Sequence, residues 1–240
     1  MPVTTGDFAQ LHADASAVGP LRRDQVAIPG ADAIYAITRP ADFDALLDAA
    51  ADDPQQNLPY WAELWPSGIA LAAALLDYGG NLAGVRALEL GCGLGVTAIA
   101  ALQRGVSLLA TDYSPEALTL CALNAAQNAG QTPLTMRVNW REPDAAFLGA
   151  VGEGIPCVLA ADVLYEGRDV EPLRDLVERQ VQPGGALWLA EPGRPPAARF
   201  LAAMASAGWN DSVTVHTGPW PDPADNAKGV TVRVHRLTRG

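Results

Sequence analysis

The chain has 240 residues, of which 49% are hydrophobic and 18% charged, and its formal net charge is −11. This length and composition suit one α/β domain with a buried core. The acidic balance argues against duplex nucleic acid as the main partner, because phosphate binding depends on clustered lysine and arginine. The sequence has neither a long uninterrupted apolar run nor a basic, apolar leader, so we expect no membrane span and no export signal.

Three cysteines, Cys92, Cys121 and Cys157, all lie within apolar segments of the sequence. They form no Cys-x-x-Cys pair, and no histidine stands at metal-ligand spacing from them. Paired cysteines are typical of secreted domains, whereas isolated apolar ones are typical of a reducing compartment. We therefore expect buried thiols, a cytoplasmic location and no metal site.

The first 56 residues carry no motif with an evident chemical role. Residues 1 to about 20 are alanine-rich with little periodicity, which predicts a disordered or loosely attached segment. The stretch DQVAIPGADAIYAIT contains two apolar runs separated by Pro29-Gly30, the pattern of a small β-hairpin, and PADFDALLDAAADDP predicts a short acidic helix. We expect residues 1–56 to form an N-terminal extension, partly disordered, of a single domain that spans 57–240.

A regular alternation of helices and strands begins near Ser67. The stretch SGIALAAALLDYGG predicts a buried helix, with Ser67 as its N-cap and a glycine pair at its end. Short apolar runs then predict five strands, at 87–90, 107–111, 134–138, 158–161 and 186–190. Further helices are predicted from Ser114-Pro115 to Gly130, from near Pro172, and from near Pro196 to Gly208. This alternation indicates a parallel sheet covered by helices on both faces.

The end of the sequence has a different pattern. WNDSVTVHTG and GVTVRVHRLT alternate polar and apolar residues, and a proline-rich loop joins them without a helix. Two such strands are expected to pair antiparallel at one edge of the sheet. The predicted fold class is therefore α/β, with a mostly parallel sheet that finishes in an antiparallel pair.

A glycine-rich turn, Gly91-Cys92-Gly93-Leu94-Gly95, follows the first parallel strand. Such a turn lets the backbone approach a ligand closely and directs free N–H groups toward it. The dinucleotide-binding fingerprint Gly-x-Gly-x-x-Gly requires its third glycine one position later, where this sequence has Val96. The mismatch disfavours a nicotinamide dinucleotide as the ligand.

The segment Glu89-Leu90-Gly91-Cys92-Gly93-Leu94-Gly95 resembles motif I of the class I S-adenosylmethionine-dependent methyltransferases. The resemblance implies a three-layer Rossmann-like sandwich whose seven-stranded sheet is mostly parallel with a reversed terminal strand. Asp112 ends the second strand, where the family places an acid that binds the ribose hydroxyls through charge-assisted hydrogen bonds. The motif residues implied to contact S-adenosylmethionine are Glu89, Gly91, Cys92, Gly93 and Gly95.

Further cofactor contacts are implied by position in the same family. Asn139 and Trp140 end the third strand, where the adenine ring is usually held, although related sequences often have aspartate in place of Asn139. An asparagine still accepts a hydrogen bond, but without charge. The resemblance also assigns Trp65, Tyr113 and Ala161 to the cofactor pocket.

The fourth strand ends in Asp162-Val163-Leu164-Tyr165, at the position that faces the transferred methyl group in this fold. The Asn/Asp-Pro-Pro-Tyr sequence of DNA and glutamine methyltransferases is absent, which disfavours a planar nitrogen as the acceptor. Asp-x-x-Tyr, with PYWAELWPSG at 59–68 and LAEPGR at 189–194, resembles the seven-β-strand protein-lysine methyltransferases. The resemblance covers residues 57–210 and points to the branch that acts on the β-subunit of electron transfer flavoprotein, with its bacterial relatives.

The resemblance implies that Asp162 and Tyr165 are the catalytic residues. A lysine has a pKa of about 10.4, so presenting its neutral amine at pH 7 costs about 4.6 kcal/mol. We expect Asp162 to hold and orient the amine rather than remove its proton, because its negative charge alone raises the pKa of a neighbouring lysine. Tyr165, Trp65 and Trp61 are candidate walls of a lysine channel, although the two tryptophans could instead pack the N-terminal extension against the sheet.

Two other functions share part of this pattern. A small-molecule N- or O-methyltransferase would carry the same cofactor motif. A cofactor-binding protein without turnover would need only the glycine turn and Asp112. The predicted partner is a protein substrate, and neither nucleic acid nor a membrane.

Overall fold

The computed structural model describes residues 3–50, 58–221 and 228–239 of the chain. Its N-terminal part contains helix α1 (Thr5–Ser16), strands β1 (Leu21–Ala27) and β2 (Ile34–Pro40), and helix α2 (Phe43–Ala49). The two strands pair antiparallel, as the Pro29-Gly30 pattern predicted, and α2 corresponds to the acidic helix. The end of that predicted helix, 51–54, lies outside the described residues, as does most of the predicted loop before the last strand.

Helix α1 lies where the sequence predicted a disordered or loose segment, so that prediction was wrong. Thr4 and Asp7 form a capping box: the Thr4 hydroxyl accepts from the Asp7 N–H at 3.2 Å, and the Asp7 carboxylate accepts from the Thr4 N–H at 3.1 Å. Ala15, near the end of α1, is fully buried, and the helix packs against the helix at Pro115–Ala129. Capping and this packing explain a helix that has little apolar periodicity of its own.

The remaining strands and helices alternate along the chain. The strands of the main sheet are β3 (Arg86–Leu90), β4 (Ser107–Asp112), β5 (Leu134–Arg137), β6 (Ile155–Ala161), β7 (Val181–Glu191), β8 (Asn210–His216) and β9 (Val232–Thr238). The helices are α3 (Pro66–Asp77), α4 (Val96–Gln103), α5 (Pro115–Ala129), α6 (Ala145–Val151), α7 (Val170–Gln180) and α8 (Pro195–Ser206). Short 3-10 turns lie at Tyr60–Ala62 and Gly167–Asp169.

The main sheet has seven strands in the order β5-β4-β3-β6-β7-β9-β8. The first five in this order are parallel, and β9 runs antiparallel to both of its neighbours. The reversed terminal strand expected from the sequence is therefore β9, which lies between β7 and the edge strand β8. The strand order changes direction at β3, and this change leaves a crevice beyond the carboxyl ends of β3 and β6.

Helices cover both faces of this sheet, which confirms the predicted three-layer α/β architecture. Side chains of β3 alternate between the faces: Ala87 belongs to the core formed with α3, α4 and α5, whereas Leu88 and Leu90 belong to the core formed with α6, α7 and α8. All three of these side chains are buried. The apolar run of β3 therefore corresponds to a strand that is buried on both faces, whereas the edge strand β5 is largely exposed.

Two further local features of the structure differ from what the sequence predicted. Helix α3 begins at Pro66 after Trp65, which occupies the N-cap position, so Ser67 lies inside the helix and is not its cap. Helix α6 was not predicted, although Asp144 caps it by accepting from the Phe147 N–H at 2.8 Å. In the part of the chain that the structure describes, no helix combines the length and apolarity needed to traverse a bilayer.

Two asparagines of α5 hold the N-terminal hairpin against the main sheet and its helices. The Asn124 side chain accepts from the Thr38 N–H at 2.8 Å and donates to the Thr38 carbonyl at 2.9 Å. Asn128, one helical turn later, makes the same two hydrogen bonds to Ala36, at 2.8 and 3.0 Å. Asn124 also donates to the Leu94 carbonyl at 2.9 Å. The hairpin, α5 and the glycine turn are therefore joined by hydrogen bonds.

Candidate active site

A cavity of about 1450 Å³ lies at the carboxyl ends of the parallel strands. This is the position at which open α/β sheets bind their ligands. Every residue that the sequence predicted for the site lines this cavity: Trp61, Trp65, Glu89, Gly91, Cys92, Gly93, Gly95, Asp112, Tyr113, Asn139, Trp140, Ala161, Asp162 and Tyr165. The carboxyl ends of β3, β4, β5 and β6, the loops that follow them and the segment before α3 bring these residues together from distant parts of the sequence.

The glycine turn requires glycine for two separate reasons. Gly91, Gly93 and Gly95 adopt φ values of 67°, 48° and 81°, a region that other residues rarely occupy. A Cβ at Gly93 would lie 3.3 Å from the Trp61 carbonyl oxygen, and one at Gly95 would lie 2.8 Å from the Cys121 Sγ of α5. Gly95 therefore permits the close packing of α4 against α5, and the turn leaves its backbone free to approach a ligand.

Two buried carboxyl groups lie beneath this turn. Asp112 accepts from the Gly93 N–H at 2.9 Å and from the Ser114 N–H at 3.0 Å, and burial nevertheless raises its pKa. Burial also raises the pKa of Glu89 to about 8, with a further contribution from the negative charge of Asp112. Within the described residues, Glu89 Oε2 has no hydrogen-bond partner. A polar or cationic ligand group at this position would relieve the cost of burying these acids.

Asn139 and Trp140, which follow β5, and Tyr113, which follows β4, line the cavity wall. Asn139 Oδ1 accepts from the Arg141 N–H at 3.2 Å, so the side chain is already oriented by its own loop. Trp140 is half-buried against the core beneath α6, with the Arg141 guanidinium 5.6 Å from its ring centroid. The Arg137 guanidinium lies 5.3 Å from the Tyr113 ring centroid. None of these contacts tests adenine binding, so the role of Asn139 and Trp140 in holding the adenine stays a prediction.

Asp162 has an unusual backbone conformation at the end of β6. Its φ of 56° lies in the left-handed region, which costs free energy for a residue with a side chain. Its N–H donates to the Ala190 carbonyl at 2.9 Å, which anchors the strained residue to β7. Its carboxylate accepts from Arg194 Nε at 2.9 Å and from the Ser67 hydroxyl at 3.3 Å. Strain of this kind concentrates at functional sites because surrounding contacts must maintain it.

Three aromatic rings stand at the mouth of the cavity next to Asp162. Tyr60 makes edge-to-face contacts with Trp65 and Tyr165, at centroid distances of 5.9 and 5.7 Å. All three side chains are partly exposed, and Trp65 Nε1 donates to the Tyr60 carbonyl at 2.7 Å. Trp61 lines the same cavity and also packs, partly buried, against the core formed with α3, α4 and α5. Tyr60 was quoted in the sequence motif but not chosen, because the 3-10 turn that redirects its ring has no sequence signature.

The N-terminal part also contributes to the cavity, although the sequence showed no site signal there. The C-terminal end of α1 and one face of α2 line it, together with Glu63. Arg39 of β2 is buried and forms ion pairs with Asp24, at 2.6 Å, and with Glu63. The hairpin is therefore tied to the rim of the cavity by charge as well as by the two asparagines of α5. These contacts are tertiary and leave no motif in the sequence.

A protein family described as "Lysine methyltransferase" matches residues 55–206, more than half of the chain. Electron transfer flavoprotein beta subunit lysine methyltransferase of Xenopus laevis is 32% identical over 161 residues, which cover 64% of this chain and 63% of that protein. The protein of the same name from Danio rerio is 33% identical over 142 residues, which cover 57% of this chain and 51% of that protein. The chain thus spans less than two thirds of the length of these curated relatives.

A solved structure gives an independent comparison of the fold. Magnesium protoporphyrin IX methyltransferase of Synechocystis PCC 6803, solved with bound SAM, has a TM-score of 0.55 and 15% sequence identity. The match covers 83% of this chain and all of that chain, and it supports the class I methyltransferase fold. The family match confirms the resemblance inferred from motif I and Asp-x-x-Tyr: the chain belongs to the lysine methyltransferase family.

Proposed function

We propose that the chain is an S-adenosylmethionine-dependent methyltransferase that acts on a lysine of a protein. The observation that carries this proposal is that the glycine turn and Asp162 face the same cavity from adjacent strands, β3 and β6. A cofactor held by the turn and an acceptor held by Asp162 would therefore meet in one place. Alignment of this kind accounts for most of the catalysis in a reaction whose leaving group is already activated.

The residues around the turn fit the proposed cofactor. The three glycines leave space that a Cβ would fill. Asp112 would bind the ribose hydroxyls of the cofactor, and the buried, unpartnered oxygen of Glu89 would accept from the amino group of its methionine part. When bound, S-adenosylmethionine supplies a methyl group on a sulfonium: the acceptor lone pair forms the N–C bond while the S–C bond breaks and its electron pair stays on sulfur. The chain itself contributes orientation and charge.

The acceptor side of the cavity suits a lysine side chain. Tyr60, Trp65 and Tyr165 provide partly exposed aromatic surfaces for its aliphatic stem and its cationic head. Asp162, at the end of this entrance, has a carboxylate that can accept a hydrogen bond from the terminal nitrogen. We assign Asp162 to holding the amine and Tyr165 to the wall beside it.

The first acceptor to test is the β-subunit of electron transfer flavoprotein, because the two relatives named above carry that substrate in their names. A cytoplasmic location is supported by Cys92, Cys121 and Cys157, which are buried and free of disulfides. The net charge of −11 supports a protein partner over nucleic acid. The division into an extension at 1–56 and a methyltransferase domain at 57–240 stays a prediction.

Transfer of a labelled methyl group to lysate proteins tests the proposed activity. We expect a labelled protein band, and we expect Asp162→Asn to abolish labelling, because the amide replaces one acceptor oxygen with an NH2 donor that can neither pair with Arg194 nor accept from the amine. Cofactor affinity, measured by titration, should stay near that of the wild type. Intact mass of purified electron transfer flavoprotein β-subunit identifies the acceptor and the number of methyl groups. Label found only in small molecules would contradict a protein-lysine acceptor.

The same titration tests the cofactor site. Asp112→Ala should weaken cofactor binding by about 1.5 to 3 kcal/mol, the worth of hydrogen bonds to a charged group. Asp144→Ala is the matched control, because Asp144 caps α6 outside the cavity and its loss should cost only helix stability, about 1 kcal/mol. Unchanged cofactor binding by Asp112→Ala would show that the ribose is held elsewhere. Tight binding with no transfer to any protein would favour a binding protein over an enzyme.

A further inference from the structure

Asp162 is bound by a cation from another segment of the chain. Arg194 follows β7, and its Nε donates to Asp162 Oδ1 at 2.9 Å while its Nη2 lies 3.5 Å from Oδ2. The Asp162 side chain is 9% exposed and that of Arg194 is 38% exposed, so the pair lies between the cavity and solvent. The Ser67 hydroxyl contacts the same carboxylate from α3. The acceptor site therefore contains an ion pair and not a single acid.

The turn after β7 fixes the direction of Arg194. The Glu191 carboxylate accepts from the Gly193 N–H at 2.5 Å, and Gly193 itself adopts a φ of 97°. Glu191 is buried and has His235 Nε2 3.5 Å from one of its oxygens. Arg194 also lines the cavity beside Asp162. The turn thus places the guanidinium within the acceptor site as a fixed part of its wall.

Other charged groups near Arg194 and Asp162 also have partners of opposite charge. Besides Asp162, the Glu191 carboxylate contributes to the raised pKa of Arg194. On the opposite wall, Tyr165 faces the Arg141 guanidinium. The remaining charged groups of that wall form ion pairs of their own: Arg141 with Asp169, and Glu166 with Arg168. Arg194 is therefore the cation that pairs with Asp162 at the acceptor end of the cavity, and its loss would leave that carboxylate without this cationic partner.

We propose that Arg194 is a positioning residue that cancels the charge of Asp162, so that the acceptor lysine enters the site as a neutral amine. An isolated carboxylate would stabilise the ammonium form, which has no lone pair and cannot accept a methyl group. A carboxylate bound to a guanidinium still has oxygen lone pairs with which to orient an amine N–H, but it attracts an ammonium much less. The proton leaves the lysine to solvent water before transfer. This inference rests on the proposed function.

The dependence of kcat on pH tests the inference. The rate should rise with pH as the bound lysine loses its proton, and it should level off above the pKa of that lysine. Arg194→Gln leaves Asp162 without its partner, so the rising limb should move to higher pH by about 1 to 3 units, the effect of one nearby charge. At a pH below the limb, the rate of Arg194→Gln should then be lower than that of the wild type by about tenfold for each unit by which the limb has moved. Arg194→Lys keeps the charge and should keep the limb near its wild-type position.

A purely structural role for Arg194 predicts a different result. If the arginine only stabilised the left-handed conformation of Asp162, its loss would lower kcat at every pH and raise KM. Charge cancellation predicts instead that the KM of Arg194→Gln at pH 7 is unchanged or lower, because the ammonium binds well but does not react. Affinity for the acceptor in the presence of S-adenosylhomocysteine, measured against pH, gives the same distinction without turnover. Arg174→Gln, which removes an arginine from the exposed face of α7, is the control.

The acceptor in these measurements is the protein that the wild-type chain labels in the lysate test, with electron transfer flavoprotein β-subunit tried first. A limb that moves in Arg194→Gln, but not in Arg194→Lys or Arg174→Gln, would support the inference. A limb that stays in place while transfer persists would overturn the inference and leave the proposed function standing. Absence of transfer by the wild-type chain would overturn both.

Discussion

Gly95 and Gly130 differ in packing but not in backbone conformation. Both have a positive φ, 81° and 66° respectively. A Cβ on Gly95 would lie 2.8 Å from the Cys121 Sγ and 3.0 Å from its Cα, whereas a Cβ on Gly130 would meet nothing within 4 Å. Comparing substitutions at Gly95 and Gly130 therefore separates the free-energy cost of a close contact from the cost of placing a side chain in the left-handed conformation.

We expect Gly130→Ala to lower the free energy of unfolding by about 1 to 2 kcal/mol, the cost of placing a side chain in the left-handed region. Gly95→Ala should lower it further, by about 1 to 3 kcal/mol more, because α4 or α5 must shift to admit the methyl group. Urea unfolding of the two variants measures both losses. Equal losses would mean that the contact with Cys121 relaxes without cost.

At the scale of residues, the sequence identified those whose chemistry is local and missed those whose role depends on a distant partner. Gly95 and Asp112 were found because a strand, a turn and a second strand occur within a short stretch. Arg194 was present in a quoted motif, but its contact with Asp162 spans 32 positions and needs the turn built by Glu191. No periodicity or spacing in the sequence predicts that contact.

Helix α5 connects two parts of the molecule through Asn124 and Asn128. Both side chains bond to β2, but only Asn124, which is fully buried, also donates to the Leu94 carbonyl in the glycine turn. A change at Asn124 should therefore affect the hairpin and the turn together. A change at Asn128 should affect the hairpin alone.

Asn124→Ala should lower the free energy of unfolding by about 2 to 4 kcal/mol, because it leaves buried backbone groups of Thr38 and Leu94 without partners. It should also weaken cofactor binding, measured by titration, since the turn loses one of its supports. Asn128→Ala is the matched control: we expect a loss of stability with cofactor affinity retained. If both variants kept full cofactor affinity, Asn124 would be shown to support the fold but not the site.

At the scale of elements, the sequence predicted those with strong end signals. Ser114-Pro115 marks the start of α5, and the hydroxyl of Ser114 accepts from the Ala117 N–H at 3.2 Å as expected of a cap. The apolar runs predicted all the parallel strands. Burial on both faces makes inner strands such as β3 and β6 easy to recognise from their composition, whereas the edge strand β5 is largely exposed. Helices α1 and α6 were missed because their stability depends on caps and tertiary packing.

The pH dependence of the stability of the whole molecule should depend partly on His235, which lies between strands β7 and β8. Burial acts to lower its pKa, but the hydrogen bond to the Asp211 carboxylate and the nearby Glu191 carboxylate outweigh burial and raise the pKa above 6.5. A group with a raised pKa contributes stability that is complete below 6.5 and is lost as the pH rises through its folded pKa. Burial lowers the pKa of His216, so its effect on stability has the opposite sign: it is complete above pH 6.5 and is lost as the pH falls below that value.

We therefore expect the free energy of unfolding to fall as the pH rises above 6.5, and His235→Gln to remove that slope because the protonated partner is gone. Thermal unfolding of the wild type and of His235→Gln at a series of pH values measures this slope. His216→Gln is the control, since the lowered pKa of His216 places its effect below pH 6.5 and its loss should keep the slope above pH 6.5. A slope that persists in His235→Gln would assign it to another group.

The paired asparagines of α5 have a consequence for how the molecule avoids association. Four residues of helix rise about 6 Å, and two residues of strand rise about 6.6 Å, so side chains one helical turn apart match alternate residues of a strand. Asn124 and Asn128 use this match to occupy the N–H and C=O groups of Thr38 and Ala36, as a neighbouring strand would. The free edge of β2 is thereby closed by a helix, so that this edge of the two-stranded sheet is protected from pairing with a strand of another copy.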